Sequence, residues 1–481
     1  MNLKMMCYIL GKMLGVEALL LLLPAFVGLI YQERSGIYFL ITAGILAVLF
    51  LLTGIKKPEN RRIYGKEGMV IVAVVWILWS LFGALPFTLS GSIPSYIDAF
   101  FETVSGFTTT GSTILKDLEA LPQCMLFWRS FTHWVGGMGV LVFAMMLTSL
   151  DKESGMYLMR AEVPGPEKDK LVPKMKETAR ILYGMYLGLS IVLVVLLLLG
   201  GMNLFDSLIH MFGTAGTGGF SNYAISVGHF DSAYIDIVLS VFMILFGVNF
   251  GLYFLLLLRD FKPVWKNEEL RAYLLIITIT TLLIAVDINE DYPNFLQSLR
   301  YSLFQVASII TTTGYATTDF NYWPMFSKWI LILLMVIGAC ASSTGGGIKV
   351  SRGLVVLKTI KRAVKQMIHP KSVSIIRLND KKMSQETLRN VYSYLMAYAV
   401  IAAGSVILVS LDDMDMETTL SAVMTTLNNV GPGLAVAGPM GSFADFSVMS
   451  KIIFSIDMLI GRLEIFPFLI LFTAFAWRKK F

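Results

Sequence analysis

Long apolar stretches alternate with short polar segments along the whole chain. Ten stretches are long enough to cross the roughly 30 Å hydrocarbon core of a bilayer, which takes about 20 residues of helix. They lie near residues 13–31, 37–54, 69–90, 125–150, 182–202, 236–258, 272–288, 326–350, 391–411 and 451–476. The pattern therefore predicts an all-α integral membrane protein with ten spans.

Four of the polar segments carry a second, shorter apolar pattern. Each begins with an apolar or amphipathic run, at 96–107, 203–213, 294–310 and 417–429. Each then ends in a small, glycine-containing stretch, at 108–113, 216–221, 311–316 and 428–433. Apolar runs this short are more often re-entrant than spanning. A single copy is typical of an ordinary external loop, but four copies predict one repeated unit of span, short helix, glycine strand and span.

The repeat predicts four units around one central pore. The aligned glycines are Gly111, Gly218, Gly314 and Gly431. Every unit contains an even number of spans, so all four share one orientation and the chain is not built from inverted repeats. The predicted pore units are 67–160, 161–270, 271–385 and 386–481, and two additional N-terminal transmembrane helices lie in 1–66.

Charge predicts the orientation of the spans. Only 15% of the 481 residues are charged, against 56% hydrophobic. Of the 39 Lys and Arg residues, 32 lie at Lys4 and Lys12 or in the segments 55–67, 151–180, 259–271, 349–389 and 478–480. The positive-inside rule places these loops and both termini in the cytoplasm. The net charge of +6 is thus explained without nucleic-acid binding.

The polar residues do not indicate an enzyme. Three cysteines and four histidines are scattered along the chain, so neither a disulfide framework nor a metal-ion cluster is predicted. The sequence contains no Walker-type phosphate loop, so we expect no ATP hydrolysis in this chain and no organic cofactor.

The glycine strands predict a filter for a dehydrated monovalent cation. Backbone carbonyls from four strands can replace the hydration shell of K⁺, and glycine adopts the positive φ that such strands need. Uncharged oxygens suit K⁺ better than a ring of carboxylates does. The candidate filter residues are Thr109, Thr110, Gly111, Thr217, Gly218, Thr312, Thr313, Gly314, Asn429, Val430 and Gly431.

The eighth predicted span is interrupted by GACASSTGGGIK at 338–349. Three consecutive glycines at roughly 1 kcal/mol each disfavour a continuous helix. One interpretation is an intramembrane gating loop beneath the filter, and the other is a packing notch for a neighbouring helix. The candidate gate residues are Ser342, Ser343, Thr344, Gly345, Gly346, Gly347 and Lys349.

Arg462 lies mid-way along the last predicted span. An arginine at that depth costs ~2.5–3.5 kcal/mol on insertion scales, which marks it as a functional candidate. The alternative is an ion pair with Asp457 or Glu464 that holds two helices together. Arg129 and His133, in the fourth span, are expected to be packed or to reach toward the membrane surface.

These features resemble the Trk/Ktr/HKT superfamily of K⁺ transporters, in which one chain carries four pore-loop units. The third loop, TTTGYATTDF at 311–320, is close to a K⁺-channel filter around Thr313, Gly314 and Tyr315. The stretches TGGFS and NNVGPGL of the second and fourth loops also match family patterns. The two extra spans before residue 67 make the chain similar to a TrkH/TrkG-type potassium uptake subunit rather than to the shorter Ktr type.

The resemblance implies several roles beyond the filter. It implies K⁺ preference from a glycine in all four units, a gate at 338–349, and an electrostatic barrier at Arg462 below the filter. It also implies a homodimer in the inner membrane of a bacterium, on a cytoplasmic ring of nucleotide-binding TrkA-type subunits. The basic segments 151–180 and 349–389 are candidate docking surfaces, although ordinary cytoplasmic loops have the same composition.

The predicted function is channel-like K⁺ uptake driven by the membrane potential, which is worth about 2.3 kcal/mol per charge per 100 mV. Two alternatives stay open on the sequence. One is a symporter that couples K⁺ to H⁺ or Na⁺, and the other is the K⁺-translocating subunit of an ATP-driven pump.

Overall fold

The computed structural model describes residues 1–60, 63–139, 175–372 and 375–477, and these ranges are mostly helical. The α-helices are α1 Leu3–Leu20, α2 Leu22–Ile30, α3 Gly36–Thr53, α4 Gly65–Gly83, α5 Leu85–Leu89, α6 Tyr96–Phe107, α7 Gln123–Gly137, α8 Met175–Leu199, α9 Leu204–Gly216, α10 Ala233–Phe246, α11 Phe250–Leu257, α12 Phe261–Lys266, α13 Glu268–Asp287, α14 Phe295–Ile310, α15 Met325–Ile337, α16 Val350–Ile368, α17 Gln385–Val409, α18 Met416–Asn428, α19 Val448–Arg462, α20 Phe466–Ile470 and α21 Ala474–Trp477.

The remaining regular elements are short. The 3₁₀ helices are Ser226–Phe230, Asn289–Asp291, Phe320–Tyr322, Ser410–Asp412, Ala435–Ala437 and Phe443–Asp445. Strands β1 Arg377–Leu378 and β2 Lys381–Lys382 form an antiparallel hairpin in which Arg377 lies opposite Lys382.

Several helices are long and apolar enough to cross a membrane, as the sequence predicts. In the described ranges six helical segments qualify by length and composition: Leu3–Ile30, Gly36–Thr53, Gly65–Leu89, Ala179–Leu199, Glu268–Asp287 and Gln385–Asp412. The pair α10 and α11 qualifies only as one span, and it is bent by 92°. Outward-facing side chains on these helices are large and apolar, for example Leu52 and Leu199, which are about three-quarters exposed and suit contact with lipid.

The helices that follow the four loops are not uninterrupted spans. Helix α15 stops at Ile337, as the glycine-rich stretch after it predicts. The predicted span 236–258 bends after Phe246, and the predicted span 451–476 breaks after Arg462. In the fourth span α7 ends at Gly137, and residues 140–150 lie outside the described ranges. Such breaks occur at membrane depth where protein surrounds the irregular backbone.

Packing of the helices closes four similar units into a ring. The units contain α4, α6 and α7; α8, α9 and α10; α13, α14 and α15; and α17, α18 and α19. In each unit the middle helix packs against the other two. The third helix of each unit also packs against the middle helix of the next unit: α7 on α9, α10 on α14, α15 on α18 and α19 back on α6. This closure is consistent with the predicted plan of pseudo-repeated units around one centre.

The additional N-terminal helices pack onto the first unit. Helix α1 contacts α3 and α4, and α2 contacts α3 and α7. An aromatic group secures the first unit itself, because Phe107 stacks edge-on against Trp79 at 5.5 Å and Trp128 at 5.8 Å between ring centroids. All three rings are fully buried, so the end of α6 is held firmly where the first loop begins.

Candidate ion pathway

The four middle helices, α6, α9, α14 and α18, are the pore helices of the structure. Each starts with a side-chain cap, in which the oxygen of Ser95, Asn203, Asn294 or Asp415 accepts the backbone N–H three residues later. These residue types are the preferred helix N-caps. The C-terminal ends, which carry partial negative charge, converge on the centre of the ring.

All four pore helices end in the same way. Thr109, Thr217, Thr312 and Asn429 follow the helices with φ between +54° and +58°. Each donates its N–H to the carbonyl three residues back, and the next residue donates to the carbonyl five residues back; Thr313 reaches Ser308 at 2.8 Å, for example. This is the Schellman ending, which normally uses glycine at the left-handed position. Non-glycine residues cost of order 1–3 kcal/mol there, and such strain clusters at functional sites.

Two residues further on, each strand has a glycine with positive φ. These are Gly111, Gly219, Gly314 and Gly431, with φ of +87°, +73°, +85° and +102°. A Cβ added to any of them would press on the carbonyl oxygen of the next strand. The carbonyls in this order belong to Gly218, Thr313, Val430 and Thr110. Four glycines and four carbonyls thus form one closed ring, in which the fourth strand packs against the first.

The ring changes the predicted register of the second loop. The glycine equivalent to Gly111 and Gly314 is Gly219, whereas the sequence alignment used Gly218. Gly218 is equivalent to Thr313, and its φ is not positive. It has a different need for glycine, because a Cβ there would overlap the ring of His133. The stretch TGGFS contains both glycines, so the sequence signal was present and only its alignment was ambiguous.

Threonine hydroxyls around the ring are engaged by protein groups. Thr110 and Thr313 pair with the hydroxyls two residues before them, Thr108 at 2.8 Å and Thr311 at 2.7 Å. The side-chain amide of Asn429 donates to the Thr110 hydroxyl at 2.9 Å, which joins the fourth strand to the first. These bonds join the strands to each other and to their pore helices.

Tyr315 ties the third strand to the second. Its buried hydroxyl donates to the carbonyls of His210 at 3.1 Å and Phe220 at 3.3 Å. Its own carbonyl accepts from the Ser308 hydroxyl at 2.6 Å and so points back toward the pore helix. Tyr315 therefore positions the strand, and its carbonyl is not one of the ring oxygens.

The ring glycines border a cavity of about 470 Å³. Residues from all four loops line it, including Ser112, Tyr223 and Pro432. Lys116 and Asp445 pair across its rim at 2.6 Å, with both side chains more than half exposed. The cavity therefore opens directly onto the ring of glycines and carbonyls.

The stretch 338–349 forms a non-helical loop against the inner ends of the pore helices. The N–H of Gly346 donates to the Thr312 hydroxyl at 2.6 Å, and that of Gly347 donates to the Asn428 carbonyl at 3.1 Å. The hydroxyl of Thr344 donates to the Phe246 carbonyl at 3.1 Å. The loop thus touches the third and fourth units where their strands begin and the second unit at the end of α10.

Arg462 ends α19 and reaches across to this loop. Its guanidinium donates to the carbonyl of Thr344 at 2.9 Å and to those of Gly137, at 2.8 Å, and Gly136. The carboxylate of Asp457 accepts from Ser405 at 2.8 Å. Arg462 therefore places a cation between the loop and the end of α7.

Arg129 has a larger role than the sequence suggests. It is buried and forms a 2.6 Å ion pair with Glu102 of the first pore helix. It also donates to the Ser221 carbonyl at 2.9 Å, and its guanidinium lies 3.4 Å from the centre of the Phe220 ring. Glu102 in turn accepts the Ile114 N–H at 2.9 Å. The pair braces the first two loops, and its only sequence signal was two charges on apolar helices.

Comparison with known proteins identifies the family of this chain. A model of the TrkH family, described as cation transport proteins, matches residues 39–479. The chain belongs to the TrkH family.

Relatives of the family match along their whole length. The chain is 37% identical to the Trk system potassium uptake protein TrkH of Salmonella typhimurium, with all of both chains covered. It is 32% identical to the Trk system potassium uptake protein TrkG of Escherichia coli, with 99% of each covered. The crystal structure of the potassium transporter TrkH from Vibrio parahaemolyticus superposes with a TM-score of 0.89 at 33% identity and covers 99% of this chain.

Membership of the TrkH family makes this chain an integral membrane transport protein and not an enzyme. Within the described ranges no group of three or more His, Cys, Asp or Glu residues could hold a metal ion.

Proposed function

We propose that this TrkH-family protein takes up K⁺ across the inner membrane of a bacterium. The observation that carries the proposal is the closed ring of the four carbonyls of Thr110, Gly218, Thr313 and Val430 against four glycines. Neutral carbonyls in such a ring replace the hydration shell of K⁺ and leave no fixed charge to trap it. The names of the matched relatives, which are potassium uptake proteins, support the same ion.

K⁺ enters the cavity beside the ring from outside, loses water at the ring and then meets the loop 338–349. The loop acts as a gate, because its residues bond to Thr312 and Asn428 at the inner end of the filter. Arg462 lies beside the loop and opposes K⁺ until both move. Its bonds to three backbone carbonyls support this role, since they hold the charge in one place.

The basic loops and both termini face the cytoplasm in this proposal. The working form is a homodimer on a cytoplasmic TrkA-type nucleotide-binding ring, which docks on the basic segments and regulates the gate. Of the segments predicted for docking, 349–389 contains α16, whose exposed face carries Lys361 and Lys365. Residues 151–174 of the other segment lie outside the described ranges.

Flux into proteoliposomes that contain this chain alone tests the proposal. We expect ⁸⁶Rb⁺ uptake driven solely by a K⁺ gradient, and Arg462→Ala should increase it if the guanidinium obstructs the path. Uptake that requires an H⁺ or Na⁺ gradient indicates the symporter instead. Uptake that requires ATP indicates the pump subunit, and no Rb⁺ uptake under any gradient contradicts the proposal.

A further inference from the structure

A buried carboxylate outside the filter accepts hydrogen bonds from backbone near both ends of the loop 338–349. Glu269, in the first turn of α13, is 5% exposed. Its Oε1 atom accepts the N–H of Ala341 at 2.8 Å and the N–H of Ser351 at 3.0 Å. These two donors are ten residues apart in sequence, so a single oxygen joins the first part of the loop to the second residue after its end.

The two hydrogen bonds to Glu269 stabilise different kinds of backbone. Ser351 lies in the first turn of α16, where backbone N–H groups lack partners within the helix and favour a negative charge. Ala341 lies in irregular backbone, where an unpaired buried N–H costs about as much as a lost hydrogen bond. Hydrogen bonds donated to a charged acceptor are roughly twice as strong as those between neutral groups. Glu269 thus stabilises both ends of the loop in the observed position.

Glu269 is itself held in place by its neighbour. The N–H of Glu268 donates to the side chain of Asn379, in the turn of the β1–β2 hairpin, at 2.8 Å. The carboxylate of Glu268 pairs with Lys358 of α16, which also donates to the Arg377 carbonyl at 2.7 Å. The start of α13 is therefore fixed to the hairpin and to α16 before Glu269 meets the loop.

We propose that Glu269 is a latch that keeps the gating loop 338–349 beneath the filter. It is a positioning residue, since it contacts the two ends of the loop and not the ring carbonyls. Release of the loop requires both N–H groups to leave the carboxylate. Because the loop is taken to be the gate, this inference rests on the proposed function.

Cys340 offers a direct readout of loop position that does not depend on ion flux. It lies in the loop beside Ala341 and is 1% exposed. The chain supplies two internal references outside the loop, since Cys7 is exposed and Cys124 is buried in α7. A small water-soluble methanethiosulfonate reagent, followed by peptide mass spectrometry, gives the labelling rate of each cysteine in the intact protein.

Glu269→Ala should increase the labelling rate of Cys340 about tenfold or more, as expected for a latch worth at least 1.4 kcal/mol. Glu269→Gln keeps a neutral acceptor oxygen and should give a smaller increase. Labelling of Cys7 and Cys124 should not change. The matched control is Asp287→Ala, which removes a carboxylate at the other end of α13 that accepts the Ser327 hydroxyl at 2.6 Å.

The outcomes separate the latch from the gate. Unchanged Cys340 labelling in both Glu269 variants overturns the latch, whatever the flux. Faster Cys340 labelling together with faster Rb⁺ flux supports both the latch and the gating role of the loop. Faster Cys340 labelling with unchanged Rb⁺ flux supports the latch but overturns the gating role of the loop. If Glu269→Ala does not elute as a folded protein, the Gln variant decides by the same criteria.

Discussion

At the scale of single residues, glycines are required in the ring of four strands for two different reasons. Gly111, Gly219, Gly314 and Gly431 require positive φ and also abut a neighbouring carbonyl. Gly218 lacks positive φ and is required because the His133 ring occupies the space of its side chain. A sequence shows that glycine is present but not which need it meets, which is why the second loop was misaligned by one residue.

Gly314→Ser should weaken the preference for K⁺ over Na⁺. The new side chain meets both a φ of +85° and the Val430 carbonyl, so the strand must shift and the ring must lose its shape. The measurement is the ratio of Rb⁺ to Na⁺ flux in proteoliposomes.

Gly201→Ser is the matched control for that variant. Gly201 has a similar φ of +90°, but nothing lies within 4 Å of an added Cβ. The control carries the same backbone strain without contact with the ring, so its ion preference should stay normal. Equal effects in the two variants would refute a filter role for Gly314.

At the scale of elements, side-chain contacts between units hold the loops in register. The Glu102–Arg129 pair joins α6 to α7 and reaches the second loop through Ser221. Tyr315 makes the corresponding link between the second and third loops. Both links depend on residues that are distant in sequence, and no local pattern reveals such partners.

Glu102→Ala should destabilise the protein by about 3–5 kcal/mol, because it leaves the buried Arg129 charge unpaired. Thermal unfolding in detergent measures the loss. The double variant Glu102→Ala with Arg129→Met removes both charges and should recover part of it.

The exposed pair Lys116–Asp445 is the control for the buried one. The two pairs have the same 2.6 Å separation, but Lys116 and Asp445 are 63% and 56% exposed. Loss of an exposed pair costs only about 0.2–1 kcal/mol. Similar losses for Lys116→Ala and Glu102→Ala would mean that the buried pair is not a brace.

At the scale of the whole molecule, the ring exists only when all four units are assembled. Each strand contributes one carbonyl and one glycine, and the contact from Gly431 to Thr110 closes the circle. Binding of an ion by the ring therefore stabilises the folded chain and not the unfolded one.

K⁺ should raise the unfolding temperature of the detergent-solubilised protein in a concentration-dependent way. Free K⁺ at about 100 times its dissociation constant contributes about 2.7 kcal/mol. Na⁺ at the same ionic strength should contribute less, and choline serves as the cation that does not fit. Equal stabilisation by K⁺, Na⁺ and choline would argue against a selective ring.

The sequence by itself determined the class of the protein and the number and order of its loops. Those properties follow from local patterns, since apolar length, cap residues and glycine strands act within a few residues of one another. The glycine interruption after Ile337 belongs to the same group. Local patterns are informative in a membrane protein because backbone hydrogen-bonding groups in lipid must be satisfied within their own segment.

Only the tertiary structure decided the register of the second loop, the breaks after Phe246 and Arg462, and the partners of Arg129 and Glu269. Each of these depends on which distant group fills a space or accepts a hydrogen bond. His133 lies 85 positions before Gly218, and Glu269 lies 72 before Ala341. The four glycine strands are predictable from the sequence repeat, but the geometry of their ring arises only where the four strands meet.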